Sequence, residues 1–388
     1  MPSAETLYFK NRLIVLCATV FSFSTLYIPQ PMLPLLADVF TVSASDAGLL
    51  MTVCFLPLGL APIFYGYFLQ AIPARLMLLV ALGLLAVNLL AFSLVSEFWQ
   101  LVVLRGFQGL ILPAIFTALM TYCASMAPPG QVRRSVGYYI AATILGGFLG
   151  RAIGGYFSSG FDWHTPYVVM GLAMLIPLWL MRYASADAEI SFERLDVGSI
   201  TRVLADVNYR YVYLILATVF FVYAAILNLI PFRLHEIDSS ISPLTISSLY
   251  LGYLIGMPIA FYSETLSRLL GDERRGLMLG LGLIFLGLLA YFSSQFLFLL
   301  VMMFCFAGGF FFIHSTLSGL TNQLAREHKG VVNGLYISIY YFSGALASWL
   351  PGYIYERHSW NTILLALIGL LAIGAWFVSR LRVAGIDE

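Results

Sequence analysis

The chain has 388 residues, of which 61% are hydrophobic and 10% charged, with a net charge of +1. An ordinary soluble domain carries about 25% charged residues, so this composition excludes a water-soluble globular protein. The absence of a basic run likewise gives nucleic acid no footing.

Apolar runs recur from end to end, each near the ~20 residues that cross ~30 Å of hydrocarbon. Twelve spans are predicted in chain order: 12–37, 45–69, 76–94, 98–124, 136–158, 164–182, 209–232, 244–268, 276–293, 297–319, 331–354 and 360–380. Lys10 and Arg12 precede the first, and no small-residue cleavage site follows it, so it reads as a retained helix rather than a signal peptide. The second carries Pro62-Ile63, the fourth LRGFQGL, and the fifth GGFLGRAIGG. A hydrophilic, mixed-charge break then separates six spans from six. The eighth carries Pro258-Ile259, the tenth FFFIHS, and the eleventh GLYISIYYFSG.

The two sides are copies. A shift of 197 residues superposes Gly137 on Gly334, Tyr139 on Tyr336, Gly147 on Gly344, Gly155 on Gly352, Tyr156 on Tyr353, Trp163 on Trp360 and Thr165 on Thr362. An all-α membrane protein follows, with an N-terminal six-helix bundle (1–182), a cytoplasmic linker (183–208) and a C-terminal six-helix bundle (209–388). Such parallel halves, related by an axis along the membrane normal, place a transporter's substrate site between them near mid-bilayer.

Positive residues fix the orientation. With both termini cytoplasmic, only Arg233 and Arg357 of the 20 Lys/Arg face outward, and Arg105 and Arg151 are left within the membrane. Cys17, Cys54, Cys123 and Cys305 lie in predicted helices at no metal-ligand spacing, so neither a disulfide framework nor a zinc site is expected. No GxxxxGK[ST], GxSxG or HExxH occurs. The expectation is a monomeric, non-enzymatic protein without metal or cofactor, integral to a bacterial inner membrane.

The chain resembles the major facilitator superfamily over essentially its whole length. Arg105, Gln108 and Gly109 match that superfamily's RxxQG motif, and Gly137, Gly146, Gly150 and Gly154 match the glycine-rich motif of its drug:proton antiporters. Arg151 stands where that motif has proline. With FFFIHS and GLYISIYYFSG, this is similar to the YnfM/AraJ-type branch of exporters. The resemblance implies alternating access, with glycines Gly146, Gly150 and Gly154 serving conformational gating; close helix packing through their small-xxx-small spacing is the competing role. It also implies a charged latch between the second and third spans, but the stretch here is GYFLQAIPAR, in which only Gly66 and Arg75 survive. Glu264 and Arg268, in the matching turn of the second half, are the candidates to replace it. The alternative for those two is a solvated turn that sets topology.

Arg151 lies ~15 residues into an outward-running helix and Arg105 ~7 residues into an inward-running one, so at ~1.5 Å per residue both reach the outer third of the membrane. An intramembrane arginine costs ~2.5–3.5 kcal/mol on insertion scales and faces a wet cavity or a partner. Either the two cations line the substrate cavity, or each snorkels outward to Glu97 or Asp162. None of the 19 carboxylates falls at mid-membrane. Two permanent cations without a fixed anion favour an anionic ligand, gripped by two-pronged guanidinium hydrogen bonds. Tyr27, Gln30, Gln108, Asn228, Tyr340 and Tyr341 are candidate cavity-lining groups, with helix packing as the competing role. His314, the one histidine inside a predicted helix, is the candidate for proton coupling, against a neutral histidine bonded within the bundle.

The expected function is secondary active efflux of a small anionic or carboxylate-bearing organic molecule, driven by membrane potential, proton antiport or both. The alternatives are a proton-coupled importer of an organic anion, a general drug or sugar exporter, and a non-transporting receptor on the same scaffold.

Overall fold

A computed structural model describes residues 4–68, 73–128, 130–184, 197–325 and 329–381. The first half runs α1 (Ala4–Tyr27), a 3₁₀ turn (Gln30–Met32), α2 (Leu33–Phe40), α3 (Ala44–Phe68), α4 (Ala74–Ala91), α5 (Phe98–Ser125), α6 (Val132–Gly160), α7 (Thr165–Ala173) and α8 (Leu175–Leu180). A short helix, α9 (Val197–Ala205), follows the break, while residues 185–196 of the expected linker lie outside the described residues. The second half runs α10 (Val207–Ile237), α11 (Pro243–Leu249), a 3₁₀ segment (Tyr250–Ile255), α12 (Gly256–Leu270), α13 (Glu273–Ala290), α14 (Phe296–Leu324), α15 (Lys329–Tyr355) and α16 (Trp360–Arg380).

Among the described residues these helices group into the twelve expected spans. Ten stretches among the described residues are long and apolar enough to cross a membrane. The remaining two are α13, whose first turn carries Glu273, Arg274 and Arg275, and α15, rich in tyrosine, serine and glycine. The polar composition of α15 suits a helix that faces the middle of the protein rather than lipid.

Three expected spans are interrupted among the described residues, the first for a clear local reason. The first breaks after Tyr27, where Pro29, Pro31 and Pro34 remove successive backbone donors. The sixth is divided into α7 and α8, and the eighth loosens into the 3₁₀ segment between α11 and α12. Broken helices are tolerated at membrane depth only where other groups satisfy the freed backbone, and the first break becomes the floor of the site.

Buried apolar side chains gather into two clusters. One is drawn from residues 14–184 with Ala345, the other from residues 203–381 with Ile144. Lipid tails are as apolar as leucine, so the packing of helices here depends on close approach, which small residues permit. Helix α6 shows this on two faces. A Cβ added to Gly146, Gly150 or Gly154 would overlap the backbone carbonyl oxygens of Val20, Ser24 or Ile28 on α1 and the turn after it. On the adjacent face, Gly137, Gly147 and Gly155 meet Phe261, Tyr253, and Pro243 with Ser247, all from the other half. Helix α15 answers symmetrically, with Gly344 against Phe220 and Phe55 and Gly352 against Ser45 of α3.

Candidate functional site

The break after Tyr27 leaves carbonyls without helical donors, because the residue four beyond Thr25 is Pro29. Helix α5 supplies the replacement. Arg105 donates from Nη1 to the Thr25 carbonyl at 3.3 Å, from Nη2 to Leu26 at 2.9 Å and from Nε to Leu50 of α3 at 2.9 Å. Gln108 donates Nε2 to the same Thr25 carbonyl at 3.1 Å, and its Oε1 accepts from Arg105 Nη1 at 2.5 Å. Both residues are 0% exposed. Gly109 completes the arrangement, since a Cβ there would collide with the Cys54 backbone. Arg105 and Gln108 are therefore not cavity-lining groups in this structure, contrary to expectation. Every nitrogen of the Arg105 guanidinium donates to this scaffold, which clamps α1, α3 and α5 together.

Arg151 is placed differently. It lies in one row with Gly147 and Gly155, four residues to either side, so the other half's Tyr253 and Ser247 can approach where side chains would have held them off. Its guanidinium carbon is 4.1 Å from the ring centroid of Tyr27, 4.5 Å from Tyr253 and 4.9 Å from Tyr250. This is a three-sided aromatic cage, in which ring quadrupoles attract the cation. Nη1 donates to the Gly147 carbonyl at 2.8 Å and Nε to Gln30 Oε1 at 2.6 Å. Among the described residues no carboxylate pairs with Arg105 or Arg151. Asp162 bonds His164 instead, and Glu97 caps the first turn of α5.

From Arg151 a chain of hydrogen bonds crosses between the halves. Gln30 Nε2 donates to Asn228 Oδ1 at 2.6 Å, Asn228 Nδ2 to Ser348 Oγ at 2.8 Å, and Ser348 Oγ to the Gly344 carbonyl at 2.7 Å. Ser348 is the residue that the 197-residue shift places on Arg151. Pseudo-equivalent positions thus hold the two ends of the chain, a guanidinium in one half and a hydroxyl in the other.

The cavity beside this chain is lined by Tyr27, Gln30, Phe55, Arg151, Phe220, Tyr223, Ala224, Leu227, Asn228, Tyr253 and Tyr340. The space left between these side chains is narrow, about enough for one water, so a substrate has to part the rings to enter. The cavity walls are stacked rings, Tyr340 on Phe220 at 3.6 Å between centroids and Tyr223 on Phe310 at 3.8 Å. Among the described residues the Tyr223 hydroxyl, buried in this wall, has no hydrogen-bond partner. Tyr341 is one layer out, edge-on to Tyr340. His314 is further back, its Nδ1 3.0 Å from the Tyr336 hydroxyl and its ring 5.2 Å from that of Tyr340. The structure brings Arg151, Tyr27, Gln30, Asn228 and Tyr340 together, keeps His314 behind Tyr340, and separates Arg105 and Gln108. Sequence reasoning missed Tyr223, Tyr250, Tyr253 and Ser348, although the 197-residue shift from Arg151 points at the last.

The residues considered for gating are scattered. Arg75 donates to the Arg182 carbonyl within its own half, at 2.5 Å, and Glu264 pairs with Arg268 one turn along the same helix. Gly66 falls in α3 but its surroundings lie outside the described residues. Gly146, Gly150 and Gly154 serve the α1 contact. At the end expected to face outward, by contrast, the halves are joined directly. Glu356 Oε1 accepts from the Ser45 amide at 2.6 Å and the Ser45 hydroxyl at 2.7 Å, and His235 faces Asp38 at 3.4 Å. Partial burial alone would raise the Glu356 pKa, but the hydrogen bonds from Ser45 and Ser43, with Arg357 nearby, hold it below the usual carboxylate range. The latch expected in the loop between the second and third spans thus has a counterpart at the opposite end.

Two helical halves around a central, mainly aromatic cavity, bridged by buried hydrogen bonds, define a membrane transporter scaffold. Residues 15–348 match the model of the Major Facilitator Superfamily, and the chain belongs to that family. It is 25% identical over 370 residues to an uncharacterized transporter of Buchnera aphidicola subsp. Baizongia pistaciae, covering 93% of this chain and 90% of the relative. It is also 25% identical to the inner membrane transport protein YnfM of Escherichia coli, over 97% of this chain and 92% of that one. The fold superposes with a TM-score of 0.72 on an inward-facing, unoccupied bacterial homolog of the human lysosomal transporter Spinster. That match has 13% identity and covers 98% of this chain and 95% of the other.

Proposed function

We propose that the protein is an alternating-access exporter of small organic monoanions that carry an aromatic or apolar body. The observation that carries this reading is Arg151, a buried guanidinium at the cavity wall that no carboxylate neutralises among the described residues. A carboxylate would complete the site's charge, and the stacked rings of Phe220, Tyr223 and Tyr340 would cover the rest of the molecule. A fixed cation repels cationic drugs and gives neutral sugars no charge to meet.

Energetics support export. One charge moving across 100 mV gains about 2.3 kcal/mol, so an inside-negative potential of ~150 mV assists a departing monoanion by roughly 3.5 kcal/mol. At ~1.4 kcal/mol per tenfold, that sustains a gradient of a few hundred-fold. His314 then modulates transport through Tyr336 and Tyr340 rather than holding the driving proton. The test uses proteoliposomes loaded with benzoate under a potassium-clamped potential. Efflux should accelerate when the interior is negative, and His314→Ala should flatten its pH dependence while keeping its voltage dependence. Voltage-indifferent efflux that disappears with His314→Ala would replace this reading with electroneutral proton exchange.

The charge distribution and the relationship to an inner membrane transport protein support a bacterial inner-membrane location. Both termini and the 183–208 linker would then be cytoplasmic, and the protein would act as a monomer. Single cysteines at Asp162 and His235, in a background lacking the four native ones, should label from outside the cell, and a cysteine in the linker only after permeabilisation. A linker that labels from outside would reverse every depth assignment.

A further inference from the structure

Gln30 has a place in the site that its polarity alone does not explain. Its amide is 2% exposed and both ends are committed, Oε1 to Arg151 in the same half and Nε2 to Asn228 in the other. The backbone that carries it is the 3₁₀ turn between two proline-interrupted helices, a stretch able to re-aim its side chain with little loss of helical hydrogen bonding.

We infer that Gln30 is an internal stand-in for the substrate's carboxylate, and that its displacement from Arg151 releases the two halves from each other. The inference rests on the proposal that Arg151 binds an organic anion. A carboxylate is the stronger acceptor, because a charge-assisted bond to a guanidinium is roughly twice as strong as one to a neutral amide oxygen. Arg151 and Asn228 hold the Gln30 amide at its two ends, so a carboxylate that takes Arg151 from Oε1 leaves the amide free to turn, and that turn carries Nε2 away from Asn228. The hydrogen bond lost at Asn228 spans the two halves on the side of the cavity where Ser45 meets Glu356. Substrate entering from the opposite side would thus open the closed end only once its carboxylate is in place. A neutral molecule offers Arg151 no stronger acceptor than the amide and leaves the closure intact. The Tyr223 hydroxyl, unpartnered among the described residues, is available to the arriving carboxylate or to the freed amide.

The test uses the full-length protein, with Ser96→Cys and Ser239→Cys spin-labelled in a background lacking Cys17, Cys54, Cys123 and Cys305, and benzoate as the probe. In the otherwise wild-type protein, benzoate should shift the label separation toward a longer population. Gln30→Leu removes the competitor and the bridge together. It should show the longer population without benzoate and bind benzoate about tenfold more tightly, the factor that ~1.4 kcal/mol corresponds to. Gln30→Glu is isosteric and controls for damage to folding. Its permanent carboxylate should occupy Arg151 and weaken benzoate by roughly a hundredfold, as the stronger charge-assisted pair demands. Equal benzoate affinity in wild type, Gln30→Leu and Gln30→Glu would overturn the inference and leave the anion site standing. Failure of benzoate to bind wild type and Gln30→Leu alike would overturn both the anion site and the inference.

Discussion

Arg151→Gln is expected to abolish benzoate binding while leaving a folded protein whose melting temperature is unchanged or higher. Hydrogen bonds to a charged group are worth ~1.5–3 kcal/mol each, so losing a two-pronged guanidinium–carboxylate contact should weaken binding by roughly a hundredfold or more at ~1.4 kcal/mol per tenfold. Stability points the other way. A guanidinium inside the membrane carries an insertion cost of ~2.5–3.5 kcal/mol. Among the described residues its compensation is three tyrosine rings, the Tyr253 hydroxyl, one amide oxygen and a carbonyl of its own helix. Tyr27 lies in α1 and Gln30 in the turn after it, yet the close backbone contact between α6 and α1 does not depend on them. That contact belongs to Gly146, Gly150 and Gly154, which the substitution does not touch. Arg151→Lys keeps the charge but loses the planar fork and should be intermediate in affinity. Calorimetric titration with benzoate, alongside a thermal melt of the same sample, separates the cases. A structural arginine would lower the melting temperature before any specific loss of binding.

The architecture was legible because it rests on length, hydropathy and a repeat. Twelve apolar runs, a 197-residue self-match and the charge bias need no knowledge of which side chains touch. The breaks were less legible: 12–37 reads as one span, yet Pro29, Pro31 and Pro34 were in plain view and end α1 at Tyr27. The two arginines show the limit most clearly. Depth along a helix placed both in the outer third, and the structure does bring both to the break in the first span, Arg105 at Thr25 and Leu26, Arg151 at Gln30. What depth does not give is the azimuth. Arg105 points into its own half, where unpaired carbonyls await it, and Arg151 points at the other half. The glycines carried that information: Gly147 and Gly155, spaced four residues either side of Arg151, mark the row that faces across, whereas Gly146, Gly150 and Gly154 mark the next row. Tyr250 and Tyr253, three residues apart, share one face of the 3₁₀ segment, but that this face meets Arg151 depends on how the two halves pack, which the sequence pattern does not give.

The opposite outcome is expected of Arg105. Arg105→Leu should fail to accumulate as monodisperse protein, or should melt far below wild type, because the side chain serves carbonyls on two other helices. Thr25 is the decisive one: Pro29 has no N–H to offer it, so Arg105 and Gln108 are its donors. The Leu26 and Leu50 carbonyls lose a second donor at the same time, and leucine can replace none of them. Removing one member of a buried charged network costs ~3–5 kcal/mol, which at ~2–4 °C per kcal/mol for larger domains is a fall of roughly 6–20 °C. Lysine can reach one or two of these carbonyls but not all three, so Arg105→Lys should lie between. The discriminating measurement is benzoate affinity in whatever fraction of Arg105→Lys folds. Arg105 is outside the cavity lining, so that fraction should bind as wild type does, and the variant should differ only in yield and melting temperature. An Arg105→Lys protein that melts normally but no longer binds benzoate would move Arg105 from the clamp into the binding site.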